Sequence, residues 1–119
     1  TSAPMPTFEQ GTVVRVPFPY TDRPVRRHRP ALVVSKGAVG AEGRLLWVVM
    51  ITSAENRGWP GDVGLEDDYR EAGLPMPSLV RTAKIATIET ADVDPLGRIP
   101  AGKLATVMRS VYAVVGRGS

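Results

Sequence analysis

Apolar residues fall along the chain in short runs separated by proline- and glycine-rich stretches. Thr12-Val13-Val14-Arg15-Val16 is β-branched and bounded by Gly11 and Pro17, which predicts a first strand. Ala31-Leu32-Val33-Val34, behind Pro30, and Leu45 through Thr52 are almost unbroken apolar runs, the pattern of central strands covered on both faces. Because proline cannot donate a ladder hydrogen bond, the second strand is expected over residues 30–35, with Pro30 in its first position. Residues 61–65 predict a short edge strand. Ser78 through Ile85 alternates with mixed faces and predicts another strand, with Ala86-Thr87-Ile88 as its extension. Residues 66–77 read as a loop with one helical turn at 67–72, and Asp94-Pro95-Leu96-Gly97-Arg98 reads as a turn. Leu104, Val107, Met108, Val111, Val114 and Val115 recur at helical spacing, so residues 101–115 predict a helix that ends at Gly116. Pro100 leads into it without a capping side chain.

Several short strands followed by one amphipathic helix predict a mainly β fold with a C-terminal helix: a small, twisted, partly closed barrel whose open end the helix plugs. A chain of 119 residues is enough for a single core. One domain is expected over residues 11–117, behind an N-terminal lead of residues 1–10.

The breaks between runs carry the charge. Residues 17–24 contain Pro17, Pro19 and Pro24 and read as a loop, which continues through Arg23, Arg26, Arg27, His28 and Arg29 into the second strand. If the second and third strands form a hairpin symmetric about the glycine-rich residues 36–44, Ser35 faces Leu46 and Arg29 faces Thr52. Directly opposed residues project to one face with Cβ atoms about 4.5–5.5 Å apart. A guanidinium and a hydroxyl would then meet at the open end of the hairpin.

Overall charge adds little: 15 Lys and Arg against 12 Asp and Glu give a net +3, with an acidic group at Glu66, Asp67, Asp68 and Glu71. Cysteine is absent and there is one histidine, so neither a disulfide nor a thiolate or multi-histidine metal site is expected, and no cofactor is called for. No apolar run approaches the roughly 18 residues of a membrane helix. The N-terminus lacks a charged stretch followed by an apolar one. A cytoplasmic protein without membrane association is expected.

There is no Gly-x-x-x-x-Gly-Lys phosphate loop, His-Glu-x-x-His pair or nucleophile elbow. What remains is Arg29 with Thr52 and Ser53, with His28 beside them and Arg81 and Lys84 on a neighbouring strand: phosphate-binding cations together with hydroxyls. The bland alternative is a surface arginine before a proline and a strand terminus bonding its own backbone. Tyr20 and Trp59 are rings able to stack on bases or to anchor their own loops.

Gly11-Thr12-Val13-Val14-Arg15-Val16, Arg29-Pro30-Ala31-Leu32-Val33-Val34-Ser35, Ile51-Thr52-Ser53, Ser78 through Ile85 and Gly97-Arg98-Ile99, taken in that order, resemble the MazF/PemK toxins of type II toxin–antitoxin systems. The resemblance implies an SH3-like barrel of the CcdB/MazF type, a homodimer, a cognate antitoxin partner, and a metal-independent endoribonuclease that cuts single-stranded RNA at short sequences. It carries Arg29 and Thr52 over as the catalytic pair with Ser53 in support; Arg23, Arg26 and Arg27 of the basic stretch, with Arg81 and Lys84, are the cations expected to bind the RNA. Some PemK-like members carry an acid/base carboxylate two residues after the strand arginine, and here that position is Ala83.

The implied chemistry is attack by the ribose 2′-hydroxyl, giving 2′,3′-cyclic phosphate and 5′-hydroxyl ends. Arg29 would stabilise the phosphorane. His28 is the one group whose ordinary pKa suits a general base, though a lone loop histidine is more often a bystander. Two alternatives stand beside this reading: a gyrase-inhibiting toxin of the CcdB type, and a barrel that binds RNA without cutting it.

Overall fold

A computed structural model of the chain describes residues 8–19, 26–56 and 58–116. Among the described residues, six strands form one sheet: β1 (Thr12–Pro19), β2 (Arg26–Val33), β3 (Leu45–Ser53), β4 (Val63–Leu65), β5 (Ser78–Glu89) and β6 (Asp94–Arg98), followed by one α-helix, α1 (Ala101–Val115). The strand order is β4-β5-β3-β2-β1-β6, and the ladders are antiparallel. The sheet curls into a half-barrel with β4 and β6 as its edges.

Curling gives the sheet two cores. Val13, Leu32, Val49, Ile51 and Val80 line one face, and Val107 and Val111 of α1 close over it. Val14, Val16, Ala31, Val33, Val48 and Met50 alternate with these onto the other face, where Phe8, Ile88 and Val93 cover them. The near-continuous apolar runs of β2 and β3 follow from burial on both sides. The helix spans the predicted residues and stops at Gly116, which takes the left-handed conformation (φ 81°) and donates its N–H to the Tyr112 carbonyl at 2.9 Å. Pro100 opens it with no side-chain cap.

Three expectations are corrected. First, residues 17–19 and 26–29 are strand, not loop: Val16 pairs with Arg29, Pro17 with His28 and Pro19 with Arg26. Pro17, Pro19 and Pro30 all fall on the same parity of this ladder, Pro30 lying opposite Arg15. A ladder tolerates proline where the N–H would point away from the partner strand, so none of the three costs a β1–β2 bond; on Pro30's other side, where its missing N–H would face β3, the β2–β3 ladder ends at Ala31. Pro30 is therefore interior to β2, and Arg26, Arg27, His28 and Arg29 are part of the scaffold.

Second, β2 ends at Val33 because Ser35 takes over the ladder's work. Its hydroxyl accepts from the Trp47 N–H at 3.2 Å and donates to the Gly37 carbonyl at 2.8 Å. Third, Asp94–Arg98 is an edge strand on β1, not a turn. The loop of residues 66–77 crosses its back: a Cβ on Gly97 would lie 2.5 Å from the Glu71 carbonyl oxygen, and one on Gly73 would strike the Leu96 backbone. Glycine permits this close backbone approach. Ala72 and Leu74 then enter the helix-side core.

Candidate active site

The β2–β3 ladder has the expected register, with Ala31 opposite Met50 and Val33 opposite Val48. The paired residues end at Ala31 and Met50; the same register carried two residues further sets Arg29 across from Thr52, and the two line one cavity. On β3's other side Thr52 faces Leu79 and Met50 faces Arg81. Opposed residues share a face, so Arg29, Thr52 and Arg81 all project from the side that carries Ala31 and Met50.

Arg29, Thr52 and Ser53 line a shallow cavity of about 170 Å³ at the end of the ladder, together with Leu74, Pro75, Met76 and Ser78. Thr52 is 5% exposed. Its hydroxyl oxygen accepts from the Asn56 side-chain amide at 2.6 Å, and the Asn56 N–H in turn donates to the Ser53 carbonyl at 3.0 Å. A tight turn therefore holds the amide against the hydroxyl, which leaves the Thr52 O–H free to donate elsewhere. The Ser53 hydroxyl accepts from the Glu55 N–H at 3.2 Å, a strand-terminal turn that occupies it locally.

Other predicted residues lie apart from this cavity. His28 is exposed and does not line it; as the strand neighbour of Arg29 its side chain leaves the opposite face. Arg81 is buried. Its guanidinium meets the Asp62 carboxylate at 3.1 Å, with the two side chains only 9% and 8% exposed. Trp59 lies over Arg81 at 4.2 Å from guanidinium carbon to ring centroid, and the Lys84 Nζ is 6.0 Å from the same centroid. Arg26 and Arg27 belong to β2. Tyr20 and Arg23 lie outside the described residues.

Sequence reasoning did not find Asn56, Ser78 or the Leu74-Pro75-Met76 wall. The signal for Asn56 was present: an asparagine three residues after a strand-terminal serine is turn chemistry that can reach back to the strand end. The profile of the PemK-like, MazF-like toxins of type II toxin–antitoxin systems matches residues 9–115. The chain belongs to this toxin family. Solved structures of MazF toxins share its fold. A MazE–MazF complex from Deinococcus radiodurans is 24% identical, covering 92% of this chain and 96% of that one with a TM-score of 0.69. A mycobacterial endoribonuclease bound to its cognate antitoxin is 20% identical over 93% and 97%, with a TM-score of 0.71. The Mycobacterium tuberculosis toxin MazF-mt6 is 20% identical over 89% and 98%, with a TM-score of 0.66. Curated protein sequences contain no match.

Within this MazF/PemK frame, the exposed Ala83 stands beside the buried Arg81 in an irregular part of β5, where the register to β3 shifts between Val49 and Met50. The strand carries no carboxylate there. On the helix side, away from the Arg29–Thr52 cavity, Trp47, Ile85, Tyr112 and Val115 are exposed apolar residues around a groove of about 350 Å³. No helix among the described residues is long and apolar enough to cross a membrane.

Proposed function

We propose that this toxin is a sequence-specific endoribonuclease that cuts single-stranded RNA by transesterification and needs no metal. The observation that carries this reading is the shared cavity of Arg29 and Thr52, a cation and an oriented hydroxyl on one face of a family toxin. The substrate's 2′-oxygen bonds to phosphorus and the P–O5′ bond breaks. One proton leaves the 2′-hydroxyl and one reaches the 5′-oxygen, giving a 2′,3′-cyclic phosphate and a 5′-hydroxyl. Negative charge grows on the non-bridging oxygens towards the phosphorane, and Arg29 is suited to stabilise it because a guanidinium offers several donors in a fixed fork. Thr52, held by Asn56, donates to one of those oxygens and fixes the phosphate. A guanidinium that stays protonated is suited to this electrostatic role and not to that of general base.

A cognate antitoxin is the partner this reading requires, in keeping with the antitoxin-bound relatives. An acidic, disordered segment fits a site built for phosphate and would compete with RNA there. The exposed apolar groove around Trp47 and Ile85 suits a homodimer contact.

The test is cleavage of a mixed-sequence single-stranded RNA in excess chelator, followed by analysis of the new ends. Cyclic phosphates and 5′-hydroxyls are expected. A 2′-deoxyribose immediately 5′ to the cut should abolish cleavage while leaving binding nearly intact. Chelator-sensitive cutting that yields 5′-phosphates would overturn the mechanism, and intact RNA with toxicity that requires a topoisomerase would overturn the activity.

A further inference from the structure

We infer that Trp59 is a base-stacking platform that selects the nucleotide next to the scissile phosphate, and that Arg81 and Asp62 exist to hold it. This inference rests on the RNA-cleaving reading above and adds a specificity subsite to it.

The platform is built from one turn and one carboxylate. Trp59-Pro60-Gly61-Asp62 closes with the Asp62 N–H donating to the Trp59 carbonyl at 3.1 Å, with proline second and Gly61 third at φ 88°. Proline presets the first corner and only glycine readily takes the second, so the turn is rigid. The Thr82 hydroxyl donates to the Gly61 carbonyl at 2.8 Å and pins the turn to β5. One Asp62 oxygen accepts from the Trp59 N–H at 2.8 Å and from Arg81 Nη2 at 3.1 Å. The same carboxylate therefore fixes the tryptophan's backbone and the cation beneath its ring.

Arg81 is too buried to serve as a phosphate clamp, yet its charge lies 4.2 Å from the ring centroid. A cation under one face draws electron density from the ring, which favours an electron-rich base on the exposed side. Trp59 remains 43% exposed, far more than a ring serving only to cap an ion pair needs. Arg81 is the diagonal neighbour of Thr52 across β3 and β5 on the same face, with Cβ atoms about 7 Å apart. A base on Trp59 is thus within reach of the nucleotide adjoining the phosphate at Arg29 and Thr52. The occupant is a nucleobase of single-stranded RNA, a purine in preference to a pyrimidine because it offers the larger and more electron-rich face.

In Trp47→Phe/Arg29→Ala protein, Trp59 is the sole tryptophan and cleavage is disabled. Short single-stranded oligodeoxynucleotides, purine and pyrimidine homopolymers in turn, should quench its fluorescence saturably, purines at the lower concentration. On a mixed RNA pool with Arg29 intact, Trp59→Ala should lower kcat/KM about five- to a hundredfold, the range for losing one stacked base. It should also flatten base preference at one position beside the cut. Trp59→Phe, which keeps a ring on the turn, should restore most of both. No quenching together with unchanged cleavage sites in Trp59→Ala overturns the inference and leaves the nuclease reading standing. An equal loss on every RNA with a lowered melting temperature makes Trp59 a loop anchor only, and also overturns it. Quenching by a wild-type site that cuts no RNA sinks the nuclease reading and leaves the platform.

Discussion

Gly97→Ala separates the loop that walls the cavity from the strand it crosses. The added Cβ would meet the Glu71 carbonyl oxygen at 2.5 Å, the Ala72 carbonyl carbon at 2.6 Å and the Ala72 oxygen at 2.8 Å. All three are backbone atoms, so no side chain can rotate aside. Restoring a C···O separation of about 3.3 Å requires a shift of roughly 0.8 Å. That shift also stretches the bond from the Arg98 N–H to the Glu71 carbonyl, already 3.3 Å long. Overpacking costs about 1–3 kcal/mol and the lost bond about 1 kcal/mol. At roughly 4 °C per kcal/mol for a domain of this size, the melting temperature should fall by about 8–16 °C. Below that temperature Leu74-Pro75-Met76 moves with the loop, and cleavage should slow by up to about a hundredfold, the scale of a 1 Å misplacement. Circular-dichroism melts beside an RNA cleavage assay read both effects. Gly102→Ala is the control: nothing lies within 4 Å of its Cβ position, so stability should hold or rise by up to about 1 kcal/mol. A Gly97→Ala protein that melts within about 2 °C of its parent would refute the crossing-loop argument.

Arg29→Ala should cost at least about a hundredfold in cleavage rate, the scale for one transition-state donor, and Thr52→Ala somewhat less. His28→Ala, whose side chain leaves the other face of β2, should change the rate less than about twofold across the pH profile; a flattened acid limb would restore it as the base. Asn56→Asp replaces the donor to Thr52 with an acceptor and draws the hydroxyl proton inward, so kcat should fall about five- to tenfold with KM nearly constant. Equal loss in Asn56→Asp and Asn56→Gln would reduce Asn56 to a turn residue. If the apolar groove is the proposed homodimer contact, Ile85→Lys should leave a monomer in size-exclusion chromatography with light scattering; a dimer unchanged by the substitution would move the interface elsewhere.

Where burial makes a pattern, the chain announces its fold. β3 and α1 were legible to within a residue at each end, because one is covered on both faces and the other on a single stripe. The hairpin register was legible because symmetry about residues 36–44 leaves little choice once two apolar runs must align. β6 and the proline-bearing ends of β1 and β2 were hidden. Their strand character depends on which neighbour each N–H would face, a property of sheet order that no local window contains. Asp94-Pro95-Leu96-Gly97 has a turn's composition, yet Gly97 serves a loop more than twenty residues upstream.

The site divides along the same line. Arg29 and Thr52 sit two residues beyond a ladder whose register could be inferred, so their meeting followed from the hairpin alone. Arg81 and Asp62 come together across the β4–β5 edge, through the turn at Pro60-Gly61 and the irregularity in β5. In sequence Arg81 reads as one more phosphate-seeking cation. Once it is buried, desolvation makes a partner carboxylate far more favourable than a transient phosphate. Its charge then acts on the substrate through what it touches, and the Trp59 ring is an exposed group that it touches. A charge count along the chain could not make that distinction, because it depends on how deep each cation lies.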